Sequence, residues 1–170
     1  GVRIFGDTRV HRIADGYVEA RGENGLVFAT ARNIVVATEA YTARLRGHHR
    51  DVVPLYSYVV ATDPLPASVW AEIGWSGRET FADGRNMVTY AQRTGDGRIV
   101  FGGRGAPYRF AGDIHSSHDT SRSVHDGIVE TLHELFPATV GVRISHRWGG
   151  PLAVPRDWHP SVVRDPRNGS

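Results

Sequence analysis

The reading of the fold turns on RNIVVATEAYT, residues 32–42. Asn33, Ile34, Val35 and Val36 read as a buried strand, a short apolar, β-branched run with a breaker signal after it. Ala37 and Thr38 stop that strand, and residues 39–45 follow with helical character, about two turns long. A strand ending in two small side chains asks for a reason, the simplest being a plain strand that runs into a helix cap.

Working outward, residues 2–5, 8–13, 17–21 and 26–30 are short extended runs separated by Gly16, GENG and similar breaks, which is the spacing of a meander. Downstream, Pro54 introduces LYSYVVAT, whose aromatic and β-branched content favours a strand, and DPLP ends it at Pro64 and Pro66. Residues 87–92 and 98–101 are two strands around RTGDG, with a hairpin turn at Asp96 and Gly97. Residues 119–136 form the one long helix: Val124, Ile128, Val129, Leu132, Leu135 and Phe136 follow a 3.6-residue period. Asp119 or Thr120 is positioned to cap it and Pro137 to end it. A strand over 140–148 precedes GGPLAVPRDWHPSVV. Strands, one long helix and more strands imply an α+β arrangement over a repeating βαβ barrel.

At 170 residues, 40% hydrophobic and 22% charged, the composition is that of a globular chain. No apolar run approaches the roughly 18 residues a membrane span needs, and the opening GVRIFGDTRV has no secretory character. The net charge of +2 is interspersed along the chain, not gathered into a basic patch with aromatic platforms, which argues against nucleic acid. The absence of cysteine excludes disulfides, thiolate metal sites and a cysteine nucleophile, and fits a reducing, cytoplasmic setting. Gly1 stands where a methionine would, and SVVRDPRNGS ends just after an apolar run, so the chain is expected to be an internal to C-terminal part of a longer protein.

GGRGAPY, residues 102–108, lacks the third glycine of a dinucleotide loop and has Pro107 where a helix would start; it reads as a strand end or substrate-side loop. His115, His118 and Asp119 in HSSHD, with His125 beyond, and His48 and His49 in GHHR, read as solvated histidines, and no metal is expected. No G-x-S-x-G elbow occurs, and Asp113 and Asp157 read as loop carboxylates. Trp70, Trp75, Trp148 and Trp158 read as core or pocket walls.

Three pieces in this order, GVRIFGDTRV, RNIVVATEAYT and RWGGPLAVPRDWHPSVV, with a strand-rich insert between them, resemble the FAD-dependent oxidoreductases of the D-amino-acid oxidase superfamily, which includes glycine and sarcosine oxidases. Within it the chain is most similar to the gamma-glutamylputrescine oxidoreductase-type branch. The resemblance implies part of a Rossmann-like FAD-binding domain, made of a β-meander and a strand, in residues 1–50. It implies an antiparallel-sheet substrate domain with one long helix in 51–147, and a return into the FAD-binding domain in 148–170. Val10 would face the adenine of FAD, and Ala37 and Thr38 would pass so close to the cofactor that larger side chains would push it away. Trp148, Gly149, Gly150 and Tyr90 would lie at the reacting centre, with Tyr56 and Tyr58 as walls or hydrogen-bond donors and Arg104 as an anion anchor.

Two departures from the family pattern stand out. No G-x-G-x-x-G strand-turn-helix is present to hold the diphosphate, so these residues alone are expected to bind FAD poorly and to be inactive. The arginine that often follows the W-x-G triplet by two positions is also absent, since Pro151 and Leu152 follow it. An amine is therefore expected as substrate, or an amino acid held by another cation such as Arg104 or Arg147. The implied reaction is hydride transfer from the carbon beside nitrogen to flavin N5, then hydrolysis of the imine, with oxygen as the candidate electron acceptor. The rival from another class is a non-catalytic β-rich module that binds a polyamine or peptide; a hydrolase would need a convergent site that the sequence does not display.

Overall fold

The computed structural model describes residues 1–84, 88–104, 113–160 and 162–164, with Arg104 described in its backbone only. The chain divides into two compact units, Gly1–Val53 with Ala153–Ser170, and Pro54–Leu152. Antiparallel sheets and few helices make up both, which is the α+β class expected from the sequence.

In the first unit, β1 (Arg9–Ala14), β2 (Tyr17–Gly22) and β3 (Gly25–Thr30) form an antiparallel meander in that order. Asp15 and Gly16 make a two-residue hairpin, with Gly16 at φ 76 where a Cβ would be strained. A bulge between Val10 and Arg12 shifts the register of β1 against β2. The expected strands at 2–5 and 33–37 do not form: neither segment pairs with a strand among the described residues. A strand exists only through its neighbours' hydrogen bonds, and the apolar run Ile34 to Val36 has none here, leaving Val35 86% exposed. The helical character after Thr38 is realised as a 3₁₀ helix, Glu39–Arg44, anchored by the fully buried Ala40.

In the second unit, β4 (Val52–Thr62), β5 (Thr80–Ala82), β6 (Thr89–Arg93), β7 (Ile99–Arg104) and β8 (Ile144–Pro155) form one sheet in the order β5-β6-β7-β4-β8. The β6–β7 hairpin turns at Asp96 and Gly97, with Gly97 at φ 81. Side chains alternate along each strand. Tyr56, Tyr58 and Val60 of β4, Ile99 and Phe101 of β7 and Ala91 of β6 join one core with Ile128 and Leu132 of α2 (Arg122–Leu135). Phe136, just past α2, stacks on Trp75 at 5.8 Å and meets Phe81 edge-on at 5.7 Å.

Helix α2 begins three residues later than the sequence suggests, with Ser121 and not Asp119 or Thr120 at the N-cap, because Ser116–His118 forms its own 3₁₀ turn first. A second helix, α1 (Ala67–Ile73), was not foreseen: seven residues between Pro66 and Gly74 are too few to display a helical period. It carries Trp70 into the core and ends at Gly74, which adopts the left-handed conformation.

Candidate functional site

Period-two alternation sorts the expected site residues of the second unit onto two faces of its sheet. Tyr56 and Tyr58 turn toward α2. Their rings lie 5.9 Å apart, and their hydroxyls donate to the carbonyls of His115 at 3.1 Å and His118 at 2.6 Å. Tyr58, 1% exposed, also receives the ring of His125 edge-on at 5.2 Å. These phenols hold the 115–118 loop against the sheet, so they form a supporting layer. They could not have been assigned to it before the register was known.

The strand β8 is fixed to this layer at one point. A Cβ on Gly149 would lie 2.6 Å from Tyr58 Cδ1 and 3.0 Å from the carbonyl oxygens of both Asp119 and Ser57, so only glycine fits. His125, itself 1% exposed, donates from Nε2 to the Trp148 carbonyl at 3.0 Å. Because Gly149 faces Tyr58, the alternation turns Trp148 and Gly150 to the opposite face.

That opposite, open face carries the remaining candidates. Tyr90 lies across β7 where Gly102 leaves room: a Cβ there would come within 2.4 Å of the phenol ring. Its hydroxyl reaches over to β4 and meets Ser57 Oγ at 2.8 Å. Ser57, Val59, Tyr90 and Gly102 share this face, and Trp148 stands 41% exposed on the β8 side. Ser57 escaped the sequence reading, and His125, expected to be a solvated histidine, is instead buried against Tyr58. The signal for Ser57 was its place between Tyr56 and Tyr58 in LYSYVVAT, since a strand must send it to the other face. The backbone of Arg104 pairs with Ser57, and its side chain lies outside the described residues.

The histidines of HSSHD serve the loop itself. His115 Nδ1 meets Ser117 Oγ at 2.8 Å and accepts from its amide at 3.1 Å, and His118 Nδ1 is 3.8 Å from Asp113 Oδ2. Among the described residues no group of three or more His, Cys, Asp or Glu side chains could hold a metal ion.

In the first unit, Ala37 is exposed and Thr38 half-buried, at the end of the unpaired segment. Thr38 Oγ1 is held by Thr42 Oγ1 at 2.8 Å and its carbonyl accepts from the Tyr41 amide at 3.0 Å. Glu39 sits at φ 51, a conformation uncommon for a residue with a Cβ, and its carboxylate accepts from the Ala153 amide. The chain thus bends sharply away right after its two small side chains, leaving their backbone approachable. Val10 is half-buried at the bulge of β1. At Ala37 and Thr38 no large side chain of the segment itself stands in the way of a flat, extended ligand. The sequence contains no G-x-G-x-x-G run to cradle a diphosphate.

Over residues 1–169 the sequence matches the family model described as FAD dependent oxidoreductase. It is 28% identical over 159 residues to a probable oxidoreductase, OrdL, of Rhizobium meliloti (strain 1021), covering 91% of this chain and 33% of that protein. The chain therefore spans about a third of the length of that curated relative. Among solved structures it is similar to glycine oxidase from Geobacillus kaustophilus, with a TM-score of 0.67 and 20% identity over 95% of this chain and 40% of that one. It is also similar to iminodiacetate oxidase from Chelativorans sp. BNC1, with a TM-score of 0.62 and 16% identity over 95% and 40% of the two chains. At these identities the two structures establish the fold. No helix among the described residues is long and apolar enough to cross a membrane.

Proposed function

The chain belongs to the family of FAD dependent oxidoreductases, and from that membership we propose that it forms the substrate face, and part of the cofactor site, of an enzyme that oxidises an amine or amino acid at the carbon beside nitrogen. The observation that carries this reading is the face of the five-stranded sheet on which Tyr90 is hydrogen-bonded to Ser57 across Gly102, the face to which alternation also turns Trp148 and Gly150. Support comes also from the activities for which the structural relatives are named, both oxidases of amino compounds.

Bound FAD supplies the hydride acceptor, flavin N5, for an oxidation whose imine product water hydrolyses. The protein's own residues position the carbon to be oxidised and exclude water from it. In this reading Trp148 and Gly150 border the reacting carbon, and Tyr90 contacts the substrate. Gly149, Tyr56 and Tyr58 hold that border in place from the opposite face. Val10, Ala37 and Thr38 flank the cofactor, since small side chains on an unpaired segment allow close approach. Arg104 is the anion anchor for any carboxylate. Pro151 and Leu152, in place of an arginine, favour an amine. Oxygen is the proposed electron acceptor and the cytoplasm the proposed location.

The test is the visible absorption spectrum of the protein made from its complete gene. Flavin bands that bleach anaerobically when an amine is added are expected. A protein that stays colourless with added FAD overturns the proposal and leaves a non-catalytic β-rich binding module in its place.

A further inference from the structure

We infer that Ser57 is a positioning residue that sets the hydrogen-bond polarity of Tyr90, making the phenol oxygen an acceptor for a substrate N–H. This deepens the proposed function and rests on it.

Ser57 is buried, and its hydroxyl has two partners: Tyr90 Oη at 2.8 Å and, at the longer distance of 3.5 Å, the Gly103 carbonyl. A carbonyl can only accept, so the one proton on Ser57 Oγ decides the direction of the set. If Ser57 donates to Gly103, it must accept from Tyr90, and both bonds are made. If it donates to Tyr90, the long Gly103 contact is lost, a small penalty at 3.5 Å. A phenol is also the better donor of the two hydroxyls and an aliphatic hydroxyl the better acceptor. The proton of Tyr90 therefore points at Ser57.

A tyrosine whose only proton is committed has acceptor lone pairs left and nothing to donate. On the open face, such an oxygen accepts from an amine or ammonium N–H and repels a carboxylate. Gly102 is what permits this arrangement, since a Cβ there would occupy the place of the ring. The polarity agrees with the triplet being followed by Pro151 and Leu152, which leaves the carboxylate-binding position without an arginine.

The experiment uses the protein from its complete gene and two matched probes, n-butylamine and n-butyrate, with binding measured by calorimetry. Tyr90→Phe is expected to weaken n-butylamine about tenfold and leave n-butyrate within about twofold, the scale of one hydrogen bond to a charged group. Ser57→Ala should reproduce the loss for the amine, Ser57→Thr should restore it, and the double variant should be no worse than either single one. Substrate turnover should show the loss in KM before kcat. Unchanged melting temperatures for Tyr90→Phe and Ser57→Thr separate recognition from folding. Loss of n-butyrate and not n-butylamine would reverse the polarity. Equal binding in all variants, or no n-butylamine binding to the wild type, would overturn the inference. The flavin spectrum of the same wild-type sample reports separately on the proposed function, so a coloured enzyme with an indifferent Tyr90 sinks only the inference.

Discussion

Gly149 and Gly150 are neighbours of one residue type with opposite surroundings. A Cβ at Gly149 meets two carbonyl oxygens that belong to fixed backbone, whereas nothing lies within 4 Å of the Cβ position of Gly150. Gly149→Ala should therefore cost about 2 kcal/mol, the scale of overpacking, and lower the melting temperature by roughly 5–10 °C. Gly150→Ala should stay within about 0.5 kcal/mol of the wild type. Thermal denaturation of both variants checks this, and equal losses would mean that β8 is not seated on Tyr58. His125 supplies a second comparison at the same place. His125→Phe keeps a ring against Tyr58 but removes the part-buried hydrogen bond to the Trp148 carbonyl, at a cost of about 1 kcal/mol. Denaturant midpoints of this variant read that cost directly. Neither Gly149 nor His125 can be assigned its role from sequence, because each depends on what stands across from it on another element.

At the scale of elements, the β6–β7 hairpin carries a titratable device in its turn. Thr94 Oγ1 donates to Asp96 Oδ1 at 2.5 Å and Arg98 Nε donates to Asp96 Oδ2 at 2.7 Å. The Thr94 hydroxyl first, and the Arg98 guanidinium after it, hold the Asp96 carboxyl below the usual carboxylate range. A depressed folded-state pKa stabilises the hairpin above the ordinary aspartate value. That stabilisation fades as pH falls toward the lower, folded value. Removing the hydroxyl by Thr94→Val should move the Asp96 titration, followed by carbon-detected NMR, back toward the ordinary value and blunt the acid sensitivity of the hairpin amides. This hairpin was legible in RTGDG, since an Asp-Gly turn between alternating runs is set by local chemistry. Helix α2 was legible for a similar reason: a period sustained over 14 residues outweighs context. The strand at 33–37 was not, because its pairing depends on partners that the local sequence does not contain. For the candidate site the sequence names residues but not their arrangement. Tyr56, Tyr58 and Tyr90 look alike in sequence, and only the register of β4, β6 and β7 sends two to the supporting layer and one to the open face.

At the scale of the whole molecule, buried apolar surface is divided unequally. In the first unit the buried hydrophobic residues among those described are Ala20 and Ala40, while Tyr56, Tyr58, Val60, Leu65, Trp70, Ile99, Phe101, Ile128 and Leu132 all belong to the second. Folding is driven chiefly by hydrophobic burial, and two alanines contribute little against the conformational entropy of some fifty ordered residues. The large apolar side chains of the first unit, Val2, Ile4, Phe5, Phe28 and Val35, are instead exposed. Residues 54–152 made alone should therefore unfold in a single sharp transition, with near-ultraviolet circular dichroism from Trp70 and Trp75, packed at 6.1 Å. Residues 1–53 made alone should show no cooperative transition and should self-associate through their apolar side chains and unpaired strand edges. The 170-residue chain should carry the same liability, and Phe28→Ser with Val35→Thr should raise its monomer fraction in sedimentation without moving the transition of the second unit. A sharp transition in residues 1–53 would show that the meander holds itself together, and the segment proposed to flank the cofactor would then be set before any ligand arrives. Without one, the proposed approach of Ala37 and Thr38 to a cofactor requires the rest of the site to be assembled around them.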